Sequence, residues 1–191
     1  MNYIYLMRED LRIRSAQEVA ERTIALIGVF QAATGRKKKQ VSNLFKENNM
    51  WSFLSPIEQK FLLEEENDSP YLSIQLSWRA EAVYILLWVL NQLEFTQIPS
   101  NDHNLKQIID LLRDDEFFTQ IPLEDAQLRD SEDILNMLEK VYKIHWEIRD
   151  AQINQKPLDS AYNPTIIYEW HYSLNWVTNA NEDWDDITTD T

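Results

Sequence analysis

Hydrophobic positions recur with helical spacing along almost the whole chain. In "SAQEVAERTIALIGVFQAAT" the apolar set includes Val19, Ile24, Ile27 and Phe30. Ser15 and Glu18 stand three apart at its start, the spacing of a capping box, and Gly35 predicts its end. "LSPIEQKFLLEE" is a second helix start, with Ser55 as N-cap, Pro56 at the first helical position and Glu58 at the third. The stretch "SPYLSIQLSWRAEAVYILLWVLNQLE" predicts one helix from about Pro70 to Leu93. From Ala82 it is apolar all round, which makes it the expected central, most buried element. Arg79 and Glu81 mark the point at which it becomes buried.

Beyond it, "IPSNDHNLKQIIDLLRD" opens a shorter helix, and Asp114 to Asp130 reads as irregular with a turn or two of helix. "SEDILNMLEKVYKIHWEIRDAQI" is long and amphipathic: Ile134, Leu138, Val141, His145 and Ile148 follow alternating four- and three-residue steps and share a face. "NPTIIYEWHYSLNWVT" is the last helix, with Asn163 as N-cap and Pro164 at the first position. No stretch alternates as a strand, no repeat appears, and no linker suggests a second domain. The expected fold is all-α: a single-domain, multi-helix bundle around a buried central helix at about 70–93, with its core at about 14–191.

Composition narrows the chemistry. With 191 residues and 44% hydrophobic side chains the chain is long enough to bury a substantial core. It has no cysteine, so thiol nucleophiles, disulfides and Cys-ligated metal are out. Two glycines, Gly28 and Gly35, are too few for a phosphate-cradling loop or a dinucleotide fingerprint. No cofactor is expected. The longest apolar run, Ala82 to Leu90, falls well short of the roughly 20 residues of a membrane span. "MNYIYLMREDLRIR" holds no apolar run of signal-peptide length, so a cytoplasmic location and no membrane partner are the expectation.

Charge is distributed unevenly. The net charge is −14. Residues 1–60 carry ten Lys/Arg against six Asp/Glu, a balance of +4, whereas residues 61–191 carry eight against 26, a balance of −18. Most of such a surface repels nucleic acid and suits a basic protein partner. The basic cluster Arg36 to Lys39 lacks interleaved aromatics and reads as a solvated loop.

The candidate chemical residues are Arg79 and Glu81; His145, Arg149 and Asp150 in "HWEIRDA"; Glu169 and His171 in "YEWHY"; and Asp185, Asp186 and Asp190 near the end. A shared metal is disfavoured. Glu169 and His171 are two apart, about 200° around a helix, and Arg149 shares the face of His145. No G-x-S-x-G elbow frames any serine. Arg79 and Arg149 lie beside apolar surface and need carboxylate partners, because an unpaired buried charge is costly. Asp185, Asp186 and Asp190 follow Trp184, a side chain that needs cover. The segment 180–191 is therefore expected to dock on the bundle, forming one polar cluster from Arg79, Glu81, His145, Arg149, Asp150, Asp185 and Asp186.

The motifs "RSAQEVAERTIAL", "LSPIEQKFL", "WRAEAVYILLWVL", "HWEIRDA" and "EWHYSLNWVTN" with the terminal "WDDITTDT" together resemble an uncharacterised bacterial family, domain-of-unknown-function family number 4272. The likeness runs from about Arg14 to Thr191. It implies a helical cytoplasmic domain that includes the terminal motif, and it carries no known activity. The pattern departs at Glu169-Trp170, where the family leads one to expect Glu-Arg. Exclusion leaves a non-enzymatic protein-binding module acting through an acidic surface, of regulatory or immunity type, as the expected function. The alternative is a small-molecule-binding or hydrolytic enzyme with a pocket between the central helix, the "HWEIRDA" helix and the C-terminus.

Overall fold

Local capping signals fix where four of the helices begin. The computed structural model describes residues 12–65, 70–95, 98, 105–157 and 162–190. Helix α1 (Ala16–Ala33) opens with the full capping box: the Ser15 hydroxyl accepts from the Glu18 amide at 3.2 Å, and the Glu18 carboxylate accepts from the Ser15 amide at 2.9 Å. It ends before Gly35, whose φ of 125° lies in the left-handed region that a side chain disfavours. Helix α2 (Lys38–Glu47) leads through a 3₁₀ turn, Trp51–Phe53, to α3 (Pro56–Leu63), which has its own Ser55–Glu58 capping box. Helices α4 (Pro70–Ser77), α5 (Arg79–Val89) and the short α6 (Ile109–Arg113) follow. Asp130 caps α7 (Ser131–Ile153), and Asn163 caps α8 (Pro164–Thr178). A last 3₁₀ turn spans Trp184–Asp186.

The molecule is an all-α bundle. Among the described residues the only extended pairing is an isolated bridge between Arg12 and Asn179. Helix α5 lies at the centre, packed against α1 on one side and α8 on the other, with α7 outside α8 and with α2 and α3 packed on each other. Every residue of α5 after Arg79 is buried, as an all-apolar sequence requires. The near-continuous burial of α1, from Val19 to Ala32, makes it a second core helix. No helix among the described residues is long and apolar enough to cross a membrane.

Two local expectations are corrected. The stretch 70–93 is not one helix. It breaks at Trp78, where the Trp78 amide donates to the Gln75 carbonyl (3.1 Å) and the Glu81 amide to the Trp78 carbonyl (3.0 Å). These three-residue steps tighten the chain locally and interrupt the α-helical bonding. At the other end α5 stops early because Asn91 adopts a φ of 57°. The second correction concerns the basic cluster. Lys38 belongs to the first turn of α2 and is 2% exposed: its ammonium donates to the Glu65 carbonyl at 3.1 Å and lies 4.1 Å from the Phe61 ring centroid. The long methylene stem lets a lysine cover apolar surface while its head finds a partner.

Candidate functional site

The break at Trp78 places Arg79 at the foot of α5, facing α8. There Arg79 Nη1 donates to Glu169 Oε2 at 2.8 Å. Its guanidinium lies over the rings of Tyr172 (5.3 Å) and Trp184 (5.4 Å). A second buried pair, Arg22 of α1 with Glu58 of α3, lies close by, and the Arg22 guanidinium is 4.8 Å from the centroid of Trp184. Glu58 thus serves twice: one oxygen closes the capping box on the Ser55 amide and also takes Arg22.

Trp184 is the common neighbour of both pairs. It is 4% exposed, with edge-on contacts to Tyr172 at 4.9 Å and Trp176 at 5.5 Å. Backbone and side-chain bonds hold it there. The Tyr172 hydroxyl donates to the Trp184 carbonyl, and Asn175 Nδ2 donates to the Thr188 carbonyl at 2.8 Å. Asp185 Oδ2 accepts from the Ile57 amide at 3.0 Å. Ile57 is the second residue of α3, so its amide has no partner within the helix, and a carboxylate at that end also suits the helix dipole. The tail carboxylate acts as a cap supplied from elsewhere in the chain.

Around these groups opens a cleft of about 300 Å³, lined on its charged side by Glu58, Arg79, Glu169 and Asp185 and on its aromatic side by Trp78, Tyr168, Tyr172 and Trp184. Burial works against the charge of Arg79, but Glu169 and Glu58 outweigh it and hold the guanidinium above its usual range. Burial lifts the Glu169 carboxyl above its usual range, against the pull of Arg79. Burial likewise pushes the Tyr172 hydroxyl up, so it stays protonated and keeps donating. Two buried atoms of the cleft residues, Arg79 Nε and Glu58 Oε1, have no hydrogen-bond partner. A second groove of about 280 Å³, with Arg14, Arg22 and Trp176 in its lining, adjoins the other side of Trp184.

The seven residues expected to form one cluster separate. Arg79 and Asp185 meet at the cleft. Glu81 is buried beside Glu169 and raises that carboxyl further. His145 lies elsewhere, on the α7–α8 seam, with its Nδ1 2.8 Å from His171 Nδ1. One ring must donate and the other accept, so the pair is built for two neutral imidazoles. Burial, and then the neighbouring His145, brings the His171 pKa down to about 3. Burial and then Arg149 lower that of His145. Arg149 itself is exposed, and Asp150 faces solvent with Lys156 at 2.7 Å and Asn154 at 2.6 Å. Asp186 and Asp190 are exposed on the tail. The pocket expected between the "HWEIRDA" helix, the central helix and the C-terminus is formed by α3, α4, the Arg79 end of the central helix α5, α8 and the tail, and no residue of the "HWEIRDA" helix is in its lining.

The residues missed are Glu58, Tyr168 and Tyr172 at the cleft and Arg22 behind Glu58. Arg22 left a legible signal, a lone cation within the apolar run "VAERTIALIGV". Glu58 did not, because its capping role already accounted for it. Trp170, standing where an arginine was expected, is wholly buried, stacks on Tyr84 at 5.9 Å and packs at a tilt against Phe95 at 5.1 Å.

Fold and site together define an all-α protein with a half-open, aromatic-walled cleft over two buried Arg–Glu pairs. The chain belongs to the family described as Domain of unknown function (DUF4272), whose model matches residues 4–187. No curated protein and no solved structure matches it.

Proposed function

We propose that the chain is a protein-binding module whose docking face is the rim of this cleft and whose partner is basic. The observation that carries the reading is a concentration of exposed large apolar side chains on one part of the surface. Ile57 (48% exposed), Trp78 (36%) and Tyr168 (40%) border the cleft, and Tyr71 (72%) and Ile74 (62%) stand on α4 beside it. Tyr71 and Ile74 are three residues apart on α4 and share a face, and Trp78 follows directly at the end of that helix. Single exposed apolar residues need no explanation, but a contiguous patch marks an interaction surface. Its aromatic content matches the cores of protein interfaces.

Charge selects the kind of partner. A net charge of −14 disfavours a second copy of this chain and any polyanion, and it steers a basic protein toward the surface. Regulation or neutralisation of such a protein by occlusion is the role that fits.

The test is native mass spectrometry of the protein captured gently, at low salt, from cells that naturally make it, in parallel with Ile74→Asp. The expected result is an added basic protein mass that is lost on raising salt and missing from the variant. Equal capture by wild type and Ile74→Asp, or an added mass of only a few hundred daltons, overturns this reading.

A further inference from the structure

Helix α7 packs chiefly on α8, and its outer flank carries a stripe of side chains of which none lines the cleft. Leu135, Glu139, Tyr142, Trp146, Arg149 and Ile153 succeed one another at steps of four, three, four, three and four residues. Such alternating steps keep side chains on one line along a helix, as in the seam of a coiled coil. The stripe is offset from the buried set Ile134, Leu138, Val141, His145 and Ile148. Trp146 is 49% and Ile153 72% exposed, with Arg149 exposed between them. Leu135 and Tyr142 are half-buried and stand outside the core cluster. Tyr142 meets His171 in a T-shaped contact at 5.6 Å, which sets the stripe beside the α8 seam. Tryptophan, tyrosine and arginine are the side chains that dominate protein interfaces.

The order of the steps identifies the occupant. Four, three, four, three, four reads the same from either end. An identical helix laid antiparallel about the midpoint therefore meets this one residue for residue. Leu135 faces Ile153 of the second copy, Glu139 faces Arg149, and Tyr142 faces Trp146. The spacing alone guarantees only the register; the side chains supply the match, apolar on apolar, carboxylate on guanidinium and ring on ring. A two-fold axis forms each contact twice, because an isologous interface uses one patch on both copies. A parallel pair would instead set Glu139 on Glu139 and Arg149 on Arg149, and like charges facing each other are costly.

Local charge permits the approach. The net −14 that disfavours a second copy at the cleft rim is missing from this stretch. From Leu135 to Ile153, Glu139, Glu147 and Asp150 are balanced by Lys140, Lys143 and Arg149. Glu139 takes Lys143 at 2.7 Å, and a carboxylate has room to accept from a second cation. Arg149 makes no ion pair among the described residues, so its guanidinium is available to the other copy.

We infer that α7 is a self-association helix: two copies of the chain pair antiparallel through it, with Glu139 of each bonded to Arg149 of the other. The inference stands apart from the protein-binding reading, since each copy keeps its cleft rim outside the pairing residues.

The experiment is sedimentation equilibrium of the full chain at physiological salt, where a screening length of about 8 Å curtails repulsion between the two acidic bodies. Wild type should pass reversibly from one chain to two as its concentration rises from about 1 to 500 μM, the range of a modest interface. Arg149→Glu and Glu139→Arg should each stay monomeric, because each sets like charges face to face. Mixed in equal amounts they should dimerise again, since both contacts of the mixed pair then join a carboxylate to a guanidinium. Ile153→Asp, which leaves the ion pair alone, should weaken association about tenfold or more. All three positions lie on the helix surface, and thermal melts matching wild type establish that the variants are folded. A wild type monomeric throughout, an Arg149→Glu or Ile153→Asp chain that dimerises as tightly as wild type, or a mixture that stays monomeric while wild type pairs, overturns the inference. Failure of the docking face reads out separately, because Ile74→Asp alters the rim and leaves the stripe intact.

Discussion

Trp184 and the two histidines carry the clearest predictions at the residue scale. The Trp184 indole touches two aromatic rings and two guanidinium groups, so its removal leaves a void that joins the clefts on either side. Trp184→Ala should cost about 3–5 kcal/mol in urea unfolding, with Trp184→Phe costing clearly less. A loss below 1 kcal/mol would mean that the tail contributes little. The histidine pair should make the fold acid-sensitive, and the sign follows from the depressed pKa. Unfolded histidine takes up a proton near its ordinary value of 6.5, whereas buried His171 resists until about 3. Between those values the unfolded state binds more protons, so stability falls as pH drops. From about pH 6.5 to 5, before most carboxylates titrate, His171 alone should lower stability by about 2 kcal/mol. The groups facing the pair are Tyr142, Tyr168 and Arg149, and none adds a negative charge that would shelter an imidazolium in this range. His171→Phe should flatten the profile of urea midpoint against pH, and a flat wild-type profile would refute the account. The sequence placed His145 on a buried stripe, but the 26-residue reach to His171 is a product of packing, which no local pattern encodes.

Among the elements, α1 and α2 approach closely at Gly28. A Cβ built there would lie 2.8 Å from Phe45 Cζ and 3.4 Å from Val41 Cγ1. Phe45 is fully buried and packed 6.4 Å from Phe117, so its ring has nowhere to retreat. Alanine in a helix interior gains about 1 kcal/mol over glycine, while overpacking of this kind costs about 1–3 kcal/mol. Gly28→Ala should therefore destabilise despite its better helix propensity, and Phe45→Leu added to it should recover part of the loss, as thermal melts can show. Helix starts were legible because a cap is local: Ser15, Ser55 and Asn163 each bond within three residues. The break at Trp78 was not. Nothing in "SIQLSWRAEA" excludes a continuous helix, and the contact of Arg79, just after the break, with Glu169 ninety residues on is equally invisible in it. Asp185 capping Ile57 from 128 residues away belongs to the same class. The chain does announce the ingredients of the cleft, an arginine at a burial boundary and acids after a tryptophan, but not which acid meets which arginine.

Charge acts on the molecule as a whole, and under the proposed function it acts with opposite signs on folding and on the binding of a basic partner. Folding packs the acid-rich residues 61–191 into a small volume, and a net −14 makes the compact state repel itself. The buried Arg22–Glu58 and Arg79–Glu169 pairs are shielded from ions, so added salt mainly screens the surface repulsion. Raising sodium chloride from low salt to physiological strength, where the screening length is about 8 Å, should therefore raise the melting temperature. Binding of a basic partner draws on the attraction between unlike charges, and the same salt should weaken it. These opposed responses separate two explanations of a lost interaction. Dissociation at a salt concentration where the melting temperature has risen reports an electrostatic interface, because the fold is then more stable than before. A melting temperature that falls as the complex dissociates would instead place the excess negative charge where it is already compensated, and the acidic surface would lose its claim to be the steering element.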